Sequence, residues 1–512
     1  MIVRSVEATK IEQHQGKFSS PTRNRKSFWI SLALVLAILA SCTPIQPTIP
    51  VVINTPEPTS PPEPEITRTP IPSRPVYAPA TLVDYIAQPG DSLAALADHF
   101  NTTSAEILYA NPLINKDITT LAAGLEMKIP IYYEALWGSQ FQIIPDSLFV
   151  NGPAQVGFNT TEFVDAQPGW LKDYTTIASG KVRRGGDLID YVALTNSISP
   201  RVLLALAEYQ AGALSQPQLD PDLALNPLGY EGPYLRGFYL QLVWAANTLN
   251  NGYYAFRNGR LDGITHPDGT LEVPDPWQNA ASVALQYYYA QLYSGEDYKR
   301  AIYDDGFYST YTSLFGDPWA NFQSHIPGNL QQPDLVLPFE AGKRWAYTGG
   351  PHAAWGSGEP LAAIDFAPSA LASGCVTSLD YVVAIADGQI VRSESAVAIL
   401  DLDKDGDERT GWVILYLHLD ERINPGVLVK AGDPIGHPSC EGGSATGTHI
   451  HIARRYNGEW IDADSAVPFN LEGWIVRNGS APYQGTLERF GRIITASDKG
   501  LTNSVITAGT KY

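Results

Sequence analysis

The sequence is poor in cysteine, in basic residues and in long apolar runs. Three cysteines among 512 residues allow one disulfide at most. Lysine and arginine number 34 against 53 acidic residues, and the formal charge of −19 argues against nucleic acid as a partner. The apolar run at residues 28–40 is too short to span a membrane comfortably. The length itself is typical of three or four domains.

The N-terminus has the pattern of a secretory leader. Basic residues at positions 23, 25 and 26 precede the apolar run, which ends in Leu-Ala-Ser-Cys42. This ending is also a bacterial lipobox, so residues 1–41 are predicted to be a lipoprotein signal peptide and Cys42 the lipidated first residue. An ordinary signal peptide or an uncleaved anchor is the alternative. The protein is then expected outside the cytoplasm, lipid-anchored to the outer face of a bacterial membrane and facing the cell wall.

A proline- and threonine-rich segment follows the leader. Residues 42–80 are nearly free of aromatic side chains and contain closely spaced prolines. This composition favours a polyproline-like spacer. On this interpretation the spacer lifts the folded domains off the membrane and towards the wall.

Residues 81–133 show a βααβ pattern. Two helix-capping signals precede two apolar helical segments, and a strand with alternating apolar residues closes the unit. The pattern resembles a LysM module, a small α+β unit that binds glycans containing N-acetylglucosamine, such as peptidoglycan or chitin. The alternative for its polar residues is that they are simple caps and turns. The resemblance implies a glycan groove near Gly90, Asp91, Ser92, Asn111 and Ile114.

Residues 134–330 are predicted to form a mainly helical middle domain. Its apolar runs at 201–208, 239–246 and 281–289 are typical of buried helices. The first run faintly resembles the catalytic-helix region of lysozyme-like transglycosylases, but Gln210 stands where that family has its catalytic glutamate. Because glutamine cannot donate the required proton, we expect an inactive glycan-holding or spacer domain. A second, glycosidase activity is the alternative.

Five of the nine histidines lie between residues 352 and 451, and four of these five lie in three short segments. The segments are Gly-Gly-Pro-His352 with Ile-Asp365-Phe downstream, Tyr-Leu-His418, and Gly-Thr-His449-Ile-His451. A catalytic zinc ion needs about three nitrogen or oxygen ligands and an open position for water. In a strand, the two imidazoles of His-X-His point to one face, so one can hold the metal while the other lies beside the water. The segments therefore predict a zinc hydrolase site.

The three segments resemble, in the same order, the motifs of the M23 (LytM or lysostaphin-like) zinc metallopeptidases. This family cuts stem peptides or cross-bridges in peptidoglycan. The resemblance covers roughly Leu337 to Trp474. It implies a β-rich, antiparallel peptidase domain at residues 331–480, with residues 481–512 as a C-terminal extension.

The resemblance also implies roles for five residues. One Zn²⁺ would be held by His352, Asp365 and His451, while His418 and His449 would be the catalytic histidines. The family usually places its first histidine and its aspartate four residues apart, whereas His352 and Asp365 are 13 apart. The turn-rich insert can loop out at little cost in stability without moving either ligand.

Two cysteines, Cys375 and Cys440, lie inside the peptidase segment. An oxidising compartment permits a disulfide between them. Zinc thiolates are the alternative, but they would displace a better-matched set of histidine and aspartate ligands.

The acidic segment that begins at Asp401 resembles the start of a calcium loop. Asp401, Asp403 and Asp405 have the spacing of its first ligands, but Trp412 stands where a bidentate glutamate is expected. A hairpin tip is therefore the plain interpretation, and a Ca²⁺ site is the alternative.

Together these observations predict a multi-domain lipoprotein with a LysM module, a helical middle domain and an M23-type peptidase domain. Its predicted activity is hydrolysis of cell-wall peptide cross-links by metal-activated water. Peptidoglycan is the expected partner twice, through its glycan strand and through its peptide stems. The alternatives are a non-catalytic LytM-type regulator of other cell-wall hydrolases and a glycan-binding wall anchor.

Overall fold

The computed structural model describes residues 74–132, 137–369 and 373–509. The predicted signal peptide, Cys42 and most of the spacer lie outside these residues. Within the described ranges, no helix combines the length and the apolar character needed to cross a bilayer.

The N-terminal part is the predicted βααβ unit. It consists of β1 (Thr81–Ile86), α1 (Leu93–His99), α2 (Ser104–Ala110) and β2 (Glu126–Ile131), with the two strands antiparallel. The Ser92 hydroxyl accepts a hydrogen bond from the Ala95 amide and caps α1. Thr103 and Glu106 form the capping box that the sequence predicts for α2. The unit packs around a core that includes Leu96, Phe100 and Ile107.

The middle part is mainly helical, as predicted. Its helices are α3 (Asp146–Phe149), α4 (Thr160–Asp165), α5 (Gly185–Asn196), α6 (Pro200–Ala211), α7 (Phe238–Arg257), α8 (Ala280–Ala290), α9 (Gly295–Ile302) and α10 (Phe307–Phe315). Two small hairpins accompany them, β3 (Thr175–Ala178) with β4 (Lys181–Arg184), and β5 (Ile264–Thr265) with β6 (Leu271–Glu272). The three predicted apolar runs lie in α6, α7 and α8. Helix α6 starts with Pro200 in its first turn and ends at Gly212 in the left-handed conformation, as the sequence signals for helix ends require.

The C-terminal part is built on a nine-stranded antiparallel sheet. Its strands follow the order β14-β10-β11-β12-β16-β8-β7-β22, and β17 pairs with the end of β16. They are β7 (Arg344–His352), β8 (Ala363–Pro368), β10 (Gly388–Glu394), β11 (Val397–Asp401), β12 (Trp412–Leu417), β14 (Leu428–Val429), β16 (Ile450–Tyr456), β17 (Glu459–Trp460) and β22 (Val505–Thr507).

Two smaller antiparallel sheets complete this part. One has the order β13-β15-β9 and contains β9 (Val382–Val383), β13 (Leu419–Asp420) and β15 (Pro434–Pro438). The other contains β18 (Asn470–Leu471), β19 (Trp474–Asn478), β20 (Gly485–Arg489) and β21 (Arg492–Thr495) in sequence order. The predicted β-rich, antiparallel C-terminal domain is therefore confirmed.

The two faces of the large sheet belong to two different cores. Along β12, Val413 and Leu415 join the core of the helical middle part, whereas Ile414 and Tyr416 join the core of the C-terminal part. Successive strand residues point to opposite faces, so the continuous apolar run of β12 reflects burial on both sides. The helices thus cover one face of the large sheet.

Candidate active site

Three adjacent strands bring His352, Asp365 and His451 together. Strand β8 lies between β7 and β16, and its Asp365 is opposite His451 on one side and Gly349 on the other. His352 is the last residue of β7, after two register shifts, one between Tyr347 and Gly349 and one between Gly349 and His352. A Cβ atom on Gly349 would overlap Asp365 Oδ2, so only glycine leaves room for this carboxylate.

The three side chains present a buried triangle of ligand atoms. His352 Nε2 lies 3.0 Å from His451 Nδ1, and Asp365 Oδ1 lies 3.3 Å from each of these nitrogens. Ligand atoms of a tetrahedral zinc ion, at bonds of about 2.1 Å, lie about 3.4 Å apart. The triangle therefore has the size that a zinc ion requires.

Backbone carbonyls set the tautomers of both histidines. His352 Nδ1 lies 2.8 Å from Gly350 O, and His451 Nε2 lies 3.1 Å from Ala354 O. Because a carbonyl only accepts hydrogen bonds, these ring nitrogens carry the hydrogen. In the neutral imidazoles the opposite nitrogens then face the triangle with bare lone pairs.

The triangle consequently places three acceptors against one another in a buried space, and this arrangement calls for a positive charge. Asp365 Oδ1 is buried and accepts no hydrogen bond from the described residues. Burial alone raises the pKa of Asp365, but His352, His451 and His449 bring it well below the usual value. Burial lowers the pKa of His352 and the Asp365 carboxylate raises it, leaving it above the ordinary value. A metal cation fits this site on the chemistry of its donors.

His418 and His449 lie beside the triangle and share the same tautomer. His418 Nδ1 donates to Glu441 O at 2.7 Å, and His449 Nδ1 donates to Gly447 O at 2.8 Å. The two rings have centroids 4.4 Å apart, and His449 Nε2 is 3.9 Å from Asp365 Oδ1. Burial, followed by the neighbouring His449, lowers the pKa of His418 to about 4. The Nε2 atoms of both rings are thus available as proton acceptors.

His418 depends on an unusual backbone conformation. It follows the last residue of β12 and has a φ of +72°, in the left-handed region that few residues other than glycine adopt. Strained residues of this kind cluster at functional sites.

A cleft of 2040 Å³ runs past the five residues. Trp355, from the insert between His352 and Asp365, lines one part of it, and Tyr483, from the C-terminal extension, lines another. The Tyr483 ring stacks on His352 with centroids 4.1 Å apart. Sequence reasoning missed both aromatics because they lie outside the recognised motifs. The signal that could have found them is the position of Trp355 in the turn-rich insert and of Tyr483 in the extension.

A disulfide closes the loops beside His449. Cys375 and Cys440 are joined, with Cα atoms 5.8 Å apart. Next to them the Thr448 hydroxyl donates to Val376 O and accepts from the Val376 amide. The loop that leads into His449 is therefore held covalently and by hydrogen bonds.

The structure gives the predicted glycan residues of the LysM unit local structural contacts. The Asp91 carboxylate accepts from the Tyr85 hydroxyl and the Gln88 amide, and Ser92 caps α1. The Asn111 side chain bonds to the backbone of Lys128 and Ile107. These contacts agree with the interpretation as caps and turns, and glycan binding stays a prediction.

Gly90 and Ile114, the other two residues of the predicted glycan groove, have different surroundings. Gly90 packs against the Arg257 guanidinium of α7, where an added Cβ atom would lie 3.0 Å from Nη1. Ile114 is half-buried at the edge of the LysM core. The Gly90 side of the predicted groove therefore faces the helical middle part.

The acidic segment forms the tip between β11 and β12. Ligand atoms of Asp401, Asp403 and Asp405 lie within 4.8 Å of one another, but only Asp401 is buried. Its two carboxylate oxygens accept from the amides of Asp403 and Gly406. The hairpin interpretation accounts for these contacts without calcium, and a Ca²⁺ site has no further support.

In α6, the helix whose sequence resembles the transglycosylase region, the Glu208 carboxylate is occupied by hydrogen bonds to the backbone. Glu208 Oε2 accepts from the Leu214 and Ser215 amides, and Gln210 Oε1 accepts from the Tyr293 hydroxyl. Glu208 therefore satisfies backbone donors beyond the end of α6. The absence of a glycosidase activity stays a prediction.

Three family models match separate stretches of the chain. The LysM domain model matches residues 85–130, the model of the LasA N-terminal domain matches 142–329, and the Peptidase family M23 model matches 373–463. The last stretch contains His418, His449 and His451, whereas His352 and Asp365 precede it.

Two individual proteins are similar to parts of the chain. Protease LasA of Pseudomonas aeruginosa (strain UCBPP-PA14) is 26% identical over 345 residues, which cover 64% of this chain and 78% of that protein. Beta-lytic metalloendopeptidase of Achromobacter lyticus is 28% identical over 165 residues, which cover 30% of this chain and 41% of that protein.

Among solved structures, the deep-sea M23 metalloprotease pseudoalterin is 25% identical and covers 32% of this chain and 96% of its own, with a TM-score of 0.28. The catalytic domain of the antimicrobial peptidase lysostaphin from Staphylococcus simulans is also 25% identical and covers 24% of this chain and 89% of its own, with a TM-score of 0.18. On the strength of the domain matches, the chain carries an N-terminal LysM domain and a C-terminal domain of peptidase family M23.

Proposed function

We propose that this protein is a zinc metalloendopeptidase that cleaves peptide cross-links of the bacterial cell wall. The observation that carries the proposal is the buried triangle of His352 Nε2, Asp365 Oδ1 and His451 Nδ1. Three acceptors of this kind are the ligand set of a catalytic zinc site with an open position. The names of the similar proteins, a protease and a metalloendopeptidase, agree with this chemistry.

In the proposed reaction the metal site and two histidines share the work. Zinc at the triangle would supply Lewis-acid activation of water and of the peptide carbonyl. Of His449 and His418, one accepts the proton from the attacking water at its Nε2 atom and delivers it to the leaving amine. The other orients the reacting groups and, once protonated at Nε2, donates a hydrogen bond that stabilises the oxyanion. A C–O bond forms, the C–N bond breaks, and the water proton ends on the amine.

The supporting residues hold these side chains in place. The Gly350, Ala354, Glu441 and Gly447 carbonyls fix the four ring tautomers. Tyr483 stacks on His352, and Trp355 lines the cleft through which the peptide would approach.

The test uses the soluble chain from Thr81 onward and its His451→Ala variant. Metal content and release of peptides from purified peptidoglycan are measured for both. We expect one zinc per chain and wall-peptide cleavage in the unsubstituted protein, and loss of both in the variant. The matched control is His437→Ala, because His437 lies in the same domain but bonds to the Asp380 carbonyl outside the triangle. A chain that binds zinc without cleaving wall peptides, or that does neither, contradicts the proposed peptidase activity and favours the regulatory alternative.

We further propose that residues 42–80 tether the enzyme to a membrane through lipid on Cys42, and that the LysM domain binds the glycan strand. Mass spectrometry of the N-terminal peptide tests the anchor. A diacylglyceryl group on Cys42, with release of the protein from membranes in a Cys42→Ser variant, is expected. Unmodified Cys42 in a membrane-bound protein would contradict lipid anchoring.

A further inference from the structure

We infer that the helical middle domain is a working part of the active site, because α7 positions the loop that holds His451. This loop, residues 353–362, is the insert between His352 and Asp365. The inference rests on the proposed function and adds two positioning residues to it, Asn247 and Asn251.

Asn247 and Asn251 lie one turn apart on the same face of α7. Asn247 Oδ1 accepts from the Ser357 amide at 2.8 Å, and Asn251 Oδ1 accepts from the Glu359 amide at 2.7 Å. Residues at this helical spacing are neighbours on the helix surface. Asn247 and Asn251 can therefore bind the amides of Ser357 and Glu359, which are two residues apart in the loop. Two side chains of the middle domain therefore accept the hydrogen bonds of these two loop amides.

The loop is shaped to receive these two side chains. Gly356 and Gly358 have φ angles of +75° and +84°, which favour glycine. A Cβ atom on Gly356 would overlap Asn247 Oδ1, and one on Gly358 would overlap Asn251 Oδ1. Glycine at both positions permits the close approach that the two hydrogen bonds need.

An ion-pair cluster fixes the next part of the loop. Arg260, just beyond α7, donates to both carboxylate oxygens of Glu359 and also to Asp462, which is buried. Asp462 follows β17 of the peptidase sheet. The loop is thereby tied to the helix and to the sheet at the same point.

The far end of the loop reaches the metal site. Ala354 is buried in the core that it shares with the middle domain, and its amide donates to Pro360 O at 3.0 Å across the loop. Its carbonyl accepts from His451 Nε2 at 3.1 Å. This contact sets which nitrogen of His451 faces the metal, and partners of this kind orient metal ligands.

The chain of contacts thus runs from Asn247 and Asn251, through the loop, to His451. It gives a physical reason for a long insert at this position. The insert is long enough to reach α7, and α7 in turn fixes the loop whose Ala354 carbonyl binds His451. The peptidase domain and the middle domain then act as one unit.

The experiment compares an Asn247→Leu/Asn251→Leu double variant with the unsubstituted full chain. Hydrogen exchange of the Ser357 and Glu359 amides reports on the loop, and competition with a chelator gives the zinc affinity. We expect faster exchange at both amides, zinc affinity lower by about tenfold, and a lower kcat with little change in KM. The Asn247→Asp/Asn251→Asp variant keeps both acceptors and should restore zinc affinity and kcat.

The controls separate positioning from general destabilisation. Asn258→Leu changes the same residue type at the end of α7, where the amide bonds to the Tyr254 carbonyl of its own helix, and should leave zinc affinity unchanged. The single Asn247→Ala variant serves if the double variant does not fold, with a smaller effect expected in the same direction.

Two results would overturn the inference. One is unchanged exchange at Ser357 and Glu359 in the leucine variant. The other is faster exchange with zinc affinity within twofold of the unsubstituted chain. Exchange and zinc affinity do not require peptide cleavage, so an inactive but zinc-binding protein would sink the proposed function and still test this positioning.

Discussion

Four backbone carbonyls decide what the site histidines can do. Those of Gly350, Ala354, Glu441 and Gly447 each take the hydrogen of one ring nitrogen. The other nitrogen of each ring is left as a lone pair directed at the site. In the proposed mechanism, the histidines are therefore already oriented as ligands and proton acceptors before any metal or substrate binds.

Removing metal should destabilise the protein because it leaves three acceptors facing one another. For the soluble chain, zinc at a thousand times its dissociation constant should add about 4 kcal/mol to the free energy of unfolding. Thermal unfolding with zinc and with chelator measures this difference. A His352→Ala variant lacks one ligand, so zinc should stabilise it much less than it stabilises the unsubstituted chain. An equal shift in both proteins would place the stabilising metal elsewhere.

Glu408 should make the peptidase domain sensitive to acid. Its carboxylate is buried and accepts from Arg392 at 2.7 and 2.9 Å and from Arg455 at 2.6 Å. Burial raises its pKa, but the two guanidinium groups lower it further, to about 2 from a usual 4.5. Because the folded-state pKa is depressed, the stabilisation is present above pH 4.5 and is lost as the pH falls towards 2.

The corresponding variant is Glu408→Gln. It should lower the free energy of unfolding by about 3 kcal/mol at pH 7, from the size of the pKa shift. The difference from the unsubstituted chain should shrink steadily between pH 4.5 and pH 2, the window set by the two pKa values. Denaturant unfolding across this range is the measurement, and the exposed Glu488→Gln is the control. A constant difference at all pH values would contradict the ionic role.

At the scale of elements, apolar periodicity and caps carried most of the prediction. The helix that starts after Ser92, the capping box of Thr103 and Glu106, and the apolar helices α6 to α8 all follow local rules. Family motifs pointed to all five site residues, and the register of β7, β8 and β16 brings three of them together. The insert was expected to loop out, and it connects β7 to β8 in this way.

Contacts between distant elements escaped prediction for a physical reason. Asn247 and Arg257 look like ordinary polar residues of an apolar helix, because nothing within one turn of sequence shows what they bind. Their partners lie about a hundred residues or more away in Ser357 and Glu459. The continuous apolar runs of β11 and β12 were local signals that a second layer covers the sheet.

The disulfide should matter most for the loops around His449. The bond between Cys375 and Cys440 closes a segment of 65 residues, for which chain entropy predicts about 4 kcal/mol of stabilisation. The Cys375→Ser/Cys440→Ser variant should lose stability and also activity, since Thr448 and the loop into His449 lose their tie. Unfolding under non-reducing conditions and peptide release measure the two effects. Full activity in a destabilised variant would show that hydrogen bonds alone hold His449.

At the scale of the whole molecule, one arginine joins the three regions. Arg257 of α7 donates to the Pro89 carbonyl in the LysM domain at 2.7 Å and to Asp146 in the middle domain at 2.5 Å. Its Nε lies 3.1 Å from the Glu459 carboxylate in the peptidase domain. Burial lowers the pKa of Arg257, but the carboxylates raise it further, well above the ordinary value. The guanidinium therefore stays charged at the junction.

Replacing this arginine should uncouple the LysM domain from the rest. An Arg257→Ala variant leaves the buried Asp146 and Glu459 carboxylates without their shared cation, which costs about 3–5 kcal/mol. It also removes the donor that holds Pro89. Calorimetry of the soluble chain should then change from one main transition to two, and hydrogen exchange should assign the earlier transition to β1 and β2.

The matched control for this prediction is Arg300→Ala. Arg300 is exposed and pairs with Asp297 within helix α9. Surface pairs of this kind contribute under about 1 kcal/mol, so the control should keep the single transition. A destabilised Arg257→Ala protein that still unfolds in one transition would mean that the other contacts of the LysM domain, such as those of Gln88 with the Trp277 and Gln278 carbonyls, couple the domains without the guanidinium. The coupling matters for function because the same helix that carries Arg257 also carries Asn247 and Asn251. Helix α7 therefore contacts both the LysM domain and the active-site loop.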